Sequence, residues 1–171
     1  MQDQPKYNAD AGSAFFADGR ANRPLVAGTV AHGSFHDNTA YFAGKQDGEP
    51  VAELPVKLST ELLARGQQRY DIYCSPCHDR TGEGNGMIVQ RGLRRPPSLH
   101  LPRLRAAPAG HFFDVISNGY GIMLNYRAQV PVEDRWAIVA YIRALQLSQN
   151  ATVADVPADQ RGALAKAAAG H

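Results

Sequence analysis

The run Tyr73-Cys74-Ser75-Pro76-Cys77-His78 sets two thiols three residues apart, with an imidazole beside the second. Thiols at this spacing can each add to one vinyl group of a haem. The adjacent histidine then reaches the iron from the proximal face. Rival chemistries need more than the chain has. A structural zinc site uses four Cys or His ligands, usually from two such pairs, and Cys74 and Cys77 are the only cysteines. A thioredoxin-like redox pair follows a strand in a βαβ setting. What precedes Cys74 is a helix-like run from Ser59 to Tyr73 with no parallel-sheet pattern around it. The motif therefore predicts one covalent haem c, tethered by Cys74 and Cys77, with His78 as an axial iron ligand.

A haem iron held by one histidine takes a sixth ligand or keeps an open position. The candidates are Met87, Met123, His100 and His111. Met87 follows His78 too closely to reach the opposite haem face while the intervening chain also forms a wall. Met123 lies much further on, in the glycine-flanked loop Gly119 to Tyr126 between two helical runs. That length of chain can wrap the haem edge and return, so Met123 is the expected second ligand. A thioether favours Fe(II) and raises the potential relative to two histidines. It also completes the coordination sphere, which argues against oxygen binding or peroxidase chemistry.

The elements that must position these residues are helices. Ser59 or Thr60 caps a helix that carries Glu61 in its first turn and Leu62, Leu63, Gly66, Tyr70 and Tyr73 at helical spacing. Gly66 inside that helix costs about 1 kcal/mol relative to alanine and suggests a close approach by another helix. Asp79 to Gly86 reads as a polar turn, and Arg94 to Leu99 as an extended segment stiffened by Pro96 and Pro97. Short helices are expected at Arg103 to Ala106 and at Ala109 to Asn118. The strongest helical pattern starts near Pro131, with Glu133 and Asp134 in its first turn, and runs to about Leu147. Its Trp136 belongs either to the core or beside a haem propionate.

Residues 1–57 carry Gly, Pro, Asn or Asp every few positions, so no helical period survives. They also carry Tyr7, Phe15, Phe16, Leu25, Val26, Val30, Phe35, Tyr41 and Phe42, too many anchors for a plain disordered tail. The reading is an extended strap lying on its own domain or on a neighbouring subunit. The small area of the haem domain favours the neighbour. Residues 58–148 form the haem domain, and residues 149–171 a loose C-terminal tail.

The 171 residues carry a formal net charge of +2. With no Lys/Arg block beyond the scattered Arg91, Arg94, Arg95, Arg103 and Arg105, a nucleic-acid footprint is excluded. Those arginines read as a solvated loop, or as a face for haem propionates or an acidic partner. No apolar run is long enough to span a bilayer. The polar opening Met1-Gln2-Asp3-Gln4-Pro5 lacks the apolar core of a signal peptide. Since haem c is attached outside the bacterial cytoplasm, an export signal is expected upstream of residue 1. The expected location is the periplasm or the outer face of the cytoplasmic membrane.

Residues 59–147 resemble a class I cytochrome c. Gly66 and Tyr70 on the first helix, and Tyr141 and Leu145 on the last, fit the family's crossing helices. The family's Gly-Pro-x-Leu segment corresponds to Pro97 and Leu99, with Pro96 in place of the glycine. The resemblance implies that the Pro97 carbonyl orients the ring of His78. Leu124 follows Met123 where the family commonly has proline. More closely, the chain resembles the monohaem cytochrome c subunit of bacterial alternative complex III. The carrying segments are Gln4 to Tyr7, Phe15 to Arg20, Arg23 to Val30, Tyr73 to Gly92, Gly110 to Ile116 and Asp134 to Gln146. The resemblance implies a multihaem cytochrome, an iron–sulfur subunit and polytopic quinol-binding membrane subunits as partners, and a lipidated cysteine upstream. The expected fold is mainly α, a class I cytochrome c around one haem with a strap and a tail. The expected role is electron transfer to a soluble carrier or terminal oxidase, with no catalytic site in this chain. The alternatives are a free or lipid-tethered shuttle serving an oxidase, and a haem enzyme or sensor with an open sixth site.

Overall fold

A computed structural model describes residues 4–8, 10–24, 26–30 and 36–162. Leu25, Phe35 and residues 163–171, part of the expected strap and tail, lie outside them. The chain divides into two compact units, residues 1–37 and 38–171.

In the first unit, residues 11–21 double back on themselves. Ser13 N–H donates to the Gly19 carbonyl (2.9 Å) and Ala21 N–H to the Ala11 carbonyl (3.0 Å), and Gly12 pairs with Arg20 as an isolated bridge. Arg23 closes the turn. Its guanidinium lies 4.1 Å from the Phe16 ring centroid and donates to Asp18 Oδ1 at 2.7 Å. Phe15, edge-on to Phe16, is 84% exposed.

The second unit is mainly helical. Its elements are α1 (Thr39–Ala43), β1 (Lys45–Gln46), β2 (Glu49–Pro50), α2 (Thr60–Tyr73), α3 (Ser75–His78), α4 (Pro102–Arg105), α5 (Ala109–Asn118) and α6 (Val132–Asn150), with 3-10 turns at Val89–Arg91 and Val153–Asp155. The start signals read from the sequence act as expected. Ser59 accepts a hydrogen bond from Leu62 N–H at the head of α2, and Glu133 and Asp134 sit in the first turn of α6, at the positive end of its dipole. No helix among the described residues is long and apolar enough to cross a membrane.

The frame is the crossing of α2 and α6. Gly66 meets Ala137 so closely that a Cβ would overlap the Ala137 carbonyl, which is why the helix tolerates glycine's entropic cost. Tyr70 packs beside it, its ring centroid 5.4 Å from that of Tyr141. Asp134, nearly buried, takes a two-pronged contact from Arg65 (2.7 and 3.0 Å), and Arg69 Nε lies 3.1 Å away. Around this crossing Phe112, Phe113, Ile116, Trp136, Ile138, Val139 and Ile142 form the core.

Residues 38–57, expected as part of the strap, instead fall within the helical unit. Tertiary bonds hold them there. Trp136 Nε1–H donates to the Tyr41 carbonyl (2.7 Å), and the N–H groups of Ala109 and Gly110 donate to Ala52 and Val51 carbonyls (3.1 and 2.8 Å). Trp136 is fully buried and stacked on Phe113 at 4.4 Å. Of its two expected roles, the core role is the one observed. α6 also runs three residues beyond Leu147, so the expected domain edge at 148 falls inside the helix.

Candidate haem site

The site grows from the end of α2. Cys74 N–H closes the last turn on the Tyr70 carbonyl (2.8 Å), and the chain continues at once into the single turn α3, with Pro76 near its start. Cys77 and His78 N–H both donate to the Cys74 carbonyl (3.1 and 2.8 Å). One helical turn thus carries residues i, i+3 and i+4 on one face, and these are the two thiols and the imidazole. No disulfide joins the two cysteines. As an unmodified thiol, Cys74 is pushed up to about 12 by burial, with the neighbouring Cys77 adding to the shift. Burial pushes the His78 imidazole below its ordinary value, against the opposing pull of Asp79's charge. That favours the neutral ring, the form that binds metal.

Directly after His78 the chain turns on Asp79, whose φ is +55°. Its carboxylate accepts from the N–H groups of Thr81 (2.7 Å), Gly82 (2.8 Å), Glu83 (3.2 Å) and Asn85 (2.7 Å), and from the Thr81 hydroxyl (2.6 Å). Burial raises its pKa, but these bonds outweigh that and hold it below the usual carboxylate value. Tyr70 ties the same point to α2 by donating its hydroxyl to the Asp79 carbonyl (2.9 Å). Burial, reinforced by nearby negative groups, raises the Tyr70 pKa and keeps that hydroxyl protonated.

Cys74, Cys77 and His78 open onto a cleft of about 330 Å³. Its other walls are almost wholly apolar: Tyr70 and Tyr73 from α2, Phe112, Val115 and Ile116 from α5, Ile142 from α6, and Leu93, Arg94, Pro96 and Leu99 from the connecting segment. Met123 lines the same cleft, with Ile122, Leu124 and Tyr126. Met123 sits at the end of a tight turn in which Tyr120 and Met123 exchange N–H···O bonds, both at 3.0 Å. Gly119 (φ +82°) and Gly121 (φ +59°) supply the left-handed geometry that this turn needs.

The other candidates lie elsewhere. Met87 is 56% exposed. A ring nitrogen of His100 bonds to the Thr81 carbonyl (2.7 Å), and His111 packs edge-on to Phe112. None of the three lines the cleft. Pro97 departs from expectation. It is exposed and off the cleft wall, where Pro96 stands instead. The buried Nδ1 of His78 has no hydrogen-bond partner among the described residues, so the expected bond to the Pro97 carbonyl is not made. The double proline fixes both φ angles, and Gly84 backs directly onto the Pro96 carbonyl, so the segment meets the haem-side loop through Pro96.

The donor set fits haem c. Two thiols on one helical turn, a neutral imidazole next to them and a thioether from a separate loop surround one apolar cleft. A family model described as cytochrome C oxidase, cbb3-type, subunit III matches residues 61–142. The region is a c-type cytochrome domain. Its helical architecture is that of a class I cytochrome c, and such a domain implies electron transfer through covalent haem c. No curated protein matches the chain. Among solved structures, a chain of the reducing HAO-like protein complex of Kuenenia stuttgartiensis is similar with a TM-score of 0.46 and 17% identity, over 63% of this chain and 54% of that one. The chain thus spans about half the length of that relative.

Sequence reading passed over several cytochrome-cleft residues. Tyr126 anchors its loop by donating its N–H to the Ile116 carbonyl (2.9 Å). An aromatic a few residues from a candidate ligand is the signal that could have found it. Val115 received no individual role, and Arg94 was expected within a basic group facing solvent, haem propionates or an acidic partner; both line the cleft.

Proposed function

We propose that this chain is the electron-transfer monohaem subunit of a membrane-associated, quinol-oxidising respiratory complex of the alternative complex III type, on the outer face of the bacterial cytoplasmic membrane. The observation that carries the cytochrome role is the convergence of Cys74, Cys77, His78 and Met123 on one apolar cleft. In this reading Cys74 and Cys77 would tether one haem, and His78 and Met123 would hold its iron. The bound haem supplies a one-electron couple. The protein's residues hold it in an apolar surrounding, fix the imidazole through α3 and the Asp79 turn, and present the thioether from the Gly119 to Tyr126 loop. In this reading the chain has no catalytic site of its own and passes electrons from a neighbouring redox subunit to a soluble carrier or oxidase.

The subunit role is supported by residues 11–23, which fold back around Arg23 and Phe16, while Tyr7, Phe15, Val26 and Val30 are largely exposed. Such anchors suit docking on the partners: a multihaem cytochrome, an iron–sulfur subunit and polytopic membrane subunits. A lipid anchor upstream is part of the same proposal. The test is purification from mildly solubilised membranes through a C-terminal tag, followed by addition of quinol. Co-purified haem and iron–sulfur subunits, with quinol-driven reduction of haem c, are the expected result. A protein that elutes alone and exchanges electrons with an oxidase is instead a tethered shuttle.

A further inference from the structure

Arg135 is the fourth residue of α6 and is only 6% exposed. Among the described residues no carboxylate forms an ion pair with it. Its neighbour Asp134 is committed to Arg65 and Arg69. A buried guanidinium without a counter-charge is costly, and an apolar residue of similar volume would pack there more cheaply. What Arg135 does that such a residue cannot is form hydrogen bonds in two directions. Nε donates to the Val130 carbonyl (2.9 Å) and Nη1 to the Ser117 hydroxyl (2.7 Å), both fully buried bonds. The Phe113 ring, 5.1 Å away, backs the guanidinium.

Those two partners are the ends of one loop. Ser117 lies in the last turn of α5, Val130 lies just ahead of α6, and Met123 sits between them. The loop has few other ties across its base. Tyr126 N–H reaches Ile116, and Arg127 donates to the Asn118 side chain at an exposed position. We propose that Arg135 is a positioning residue for the sixth iron ligand: it clamps the entrance and exit of the Met123 loop and so holds the thioether at the cleft. The proposal rests on the reading of Met123 as axial ligand. Lysine cannot replace the clamp, because its ammonium is a compact point charge without the planar fork that spans both acceptors.

The test uses the full-length, haem-loaded protein and added imidazole as a competitor for the sixth position in the ferric state. Arg135→Gln, Arg135→Lys, Ser117→Ala and Met123→Ala are compared with the parent by imidazole titration, by the weak long-wavelength ferric absorption of a thioether ligand, and by midpoint potential. Arg135→Gln is expected to bind imidazole about tenfold more tightly, the factor that corresponds to 1.4 kcal/mol of loop closure. It should also lose part of the thioether absorption and shift to lower potential. Ser117→Ala, which removes one anchor with little risk to folding, is expected to move the same way by a smaller factor, and Arg135→Lys not to restore the parent behaviour. If Met123→Ala binds imidazole tightly while Arg135→Gln and Ser117→Ala match the parent within about twofold, less than 0.5 kcal/mol, the clamp is overturned and the ligand reading stands. If Met123→Ala itself leaves spectrum and imidazole affinity unchanged, the ligand reading fails, and the clamp with it.

Discussion

Gly66→Ala tests the crossing on which the haem site is built. In an exposed helix this change would stabilise α2 by roughly 1 kcal/mol, the propensity difference between the two residues. At Gly66 the new methyl would overlap the Ala137 carbonyl and press on Tyr141 Cβ. The obstacle is backbone in the middle of a helix, so no side chain can rotate out of the way. Overpacking costs about 1–3 kcal/mol, and a clash with rigid backbone belongs at or above the upper end. Net of the propensity gain, the expected loss is about 2 kcal/mol, or a fall in Tm of very roughly 8 °C for a domain of this size. The assay is thermal unfolding of the haem-loaded protein by circular dichroism, beside the parent. A displaced α2 also drags Tyr70, whose hydroxyl holds the Asp79 turn, so the haem absorption bands should change together with Tm. A Tm equal to or above the parent's would refute the close-crossing argument, because propensity alone would then decide.

Three further outcomes are expected. Trp136→Phe keeps the stack on Phe113 but leaves the Tyr41 carbonyl without its 2.7 Å donor; it should cost about 1–2 kcal/mol, with faster hydrogen exchange at residues 39–43. Deleting residues 1–37 should leave haem attachment and Tm of the remaining unit nearly unchanged, since residues 38–171 form their own compact unit, while co-purification of partner subunits is lost; a large fall in Tm would count against this. Arg91, Arg94, Arg95, Arg103 and Arg105 lie in a stretch, residues 84–113, with no Asp or Glu, and none forms an ion pair among the described residues; electron transfer to an acidic acceptor should therefore slow as ionic strength rises, and a rate indifferent to salt would remove that surface from the docking face.

Much of the domain was legible because its signals are local. Ser59 as a cap, the acidic first turn before Trp136, and the close spacing of Cys74, Cys77 and His78 each need only a few residues to be read. Gly66 was legible for another reason: glycine at a propensity cost inside a good helix asks for a close neighbour. Residues 38–57 were not legible, since a five-residue helix and two-residue strands have almost no local signature. They are held by bonds to groups such as Trp136, far away in the chain. The Pro97 expectation came from resemblance, and the substitution of Pro96 for glycine is where the pattern departs. Arg135 was invisible in the sequence because its meaning lies in which two backbone segments the fold brings to it.

On the proposed reading, His78 and Met123 together fill the iron coordination of a haem c that passes electrons. The most direct test is to add carbon monoxide to the reduced, haem-loaded protein and follow its absorption spectrum, with Met123→Ala alongside. The parent spectrum should stay unchanged, and only the variant should form the carbonyl adduct. Ready binding of carbon monoxide by the parent would show an open sixth position and contradict the account.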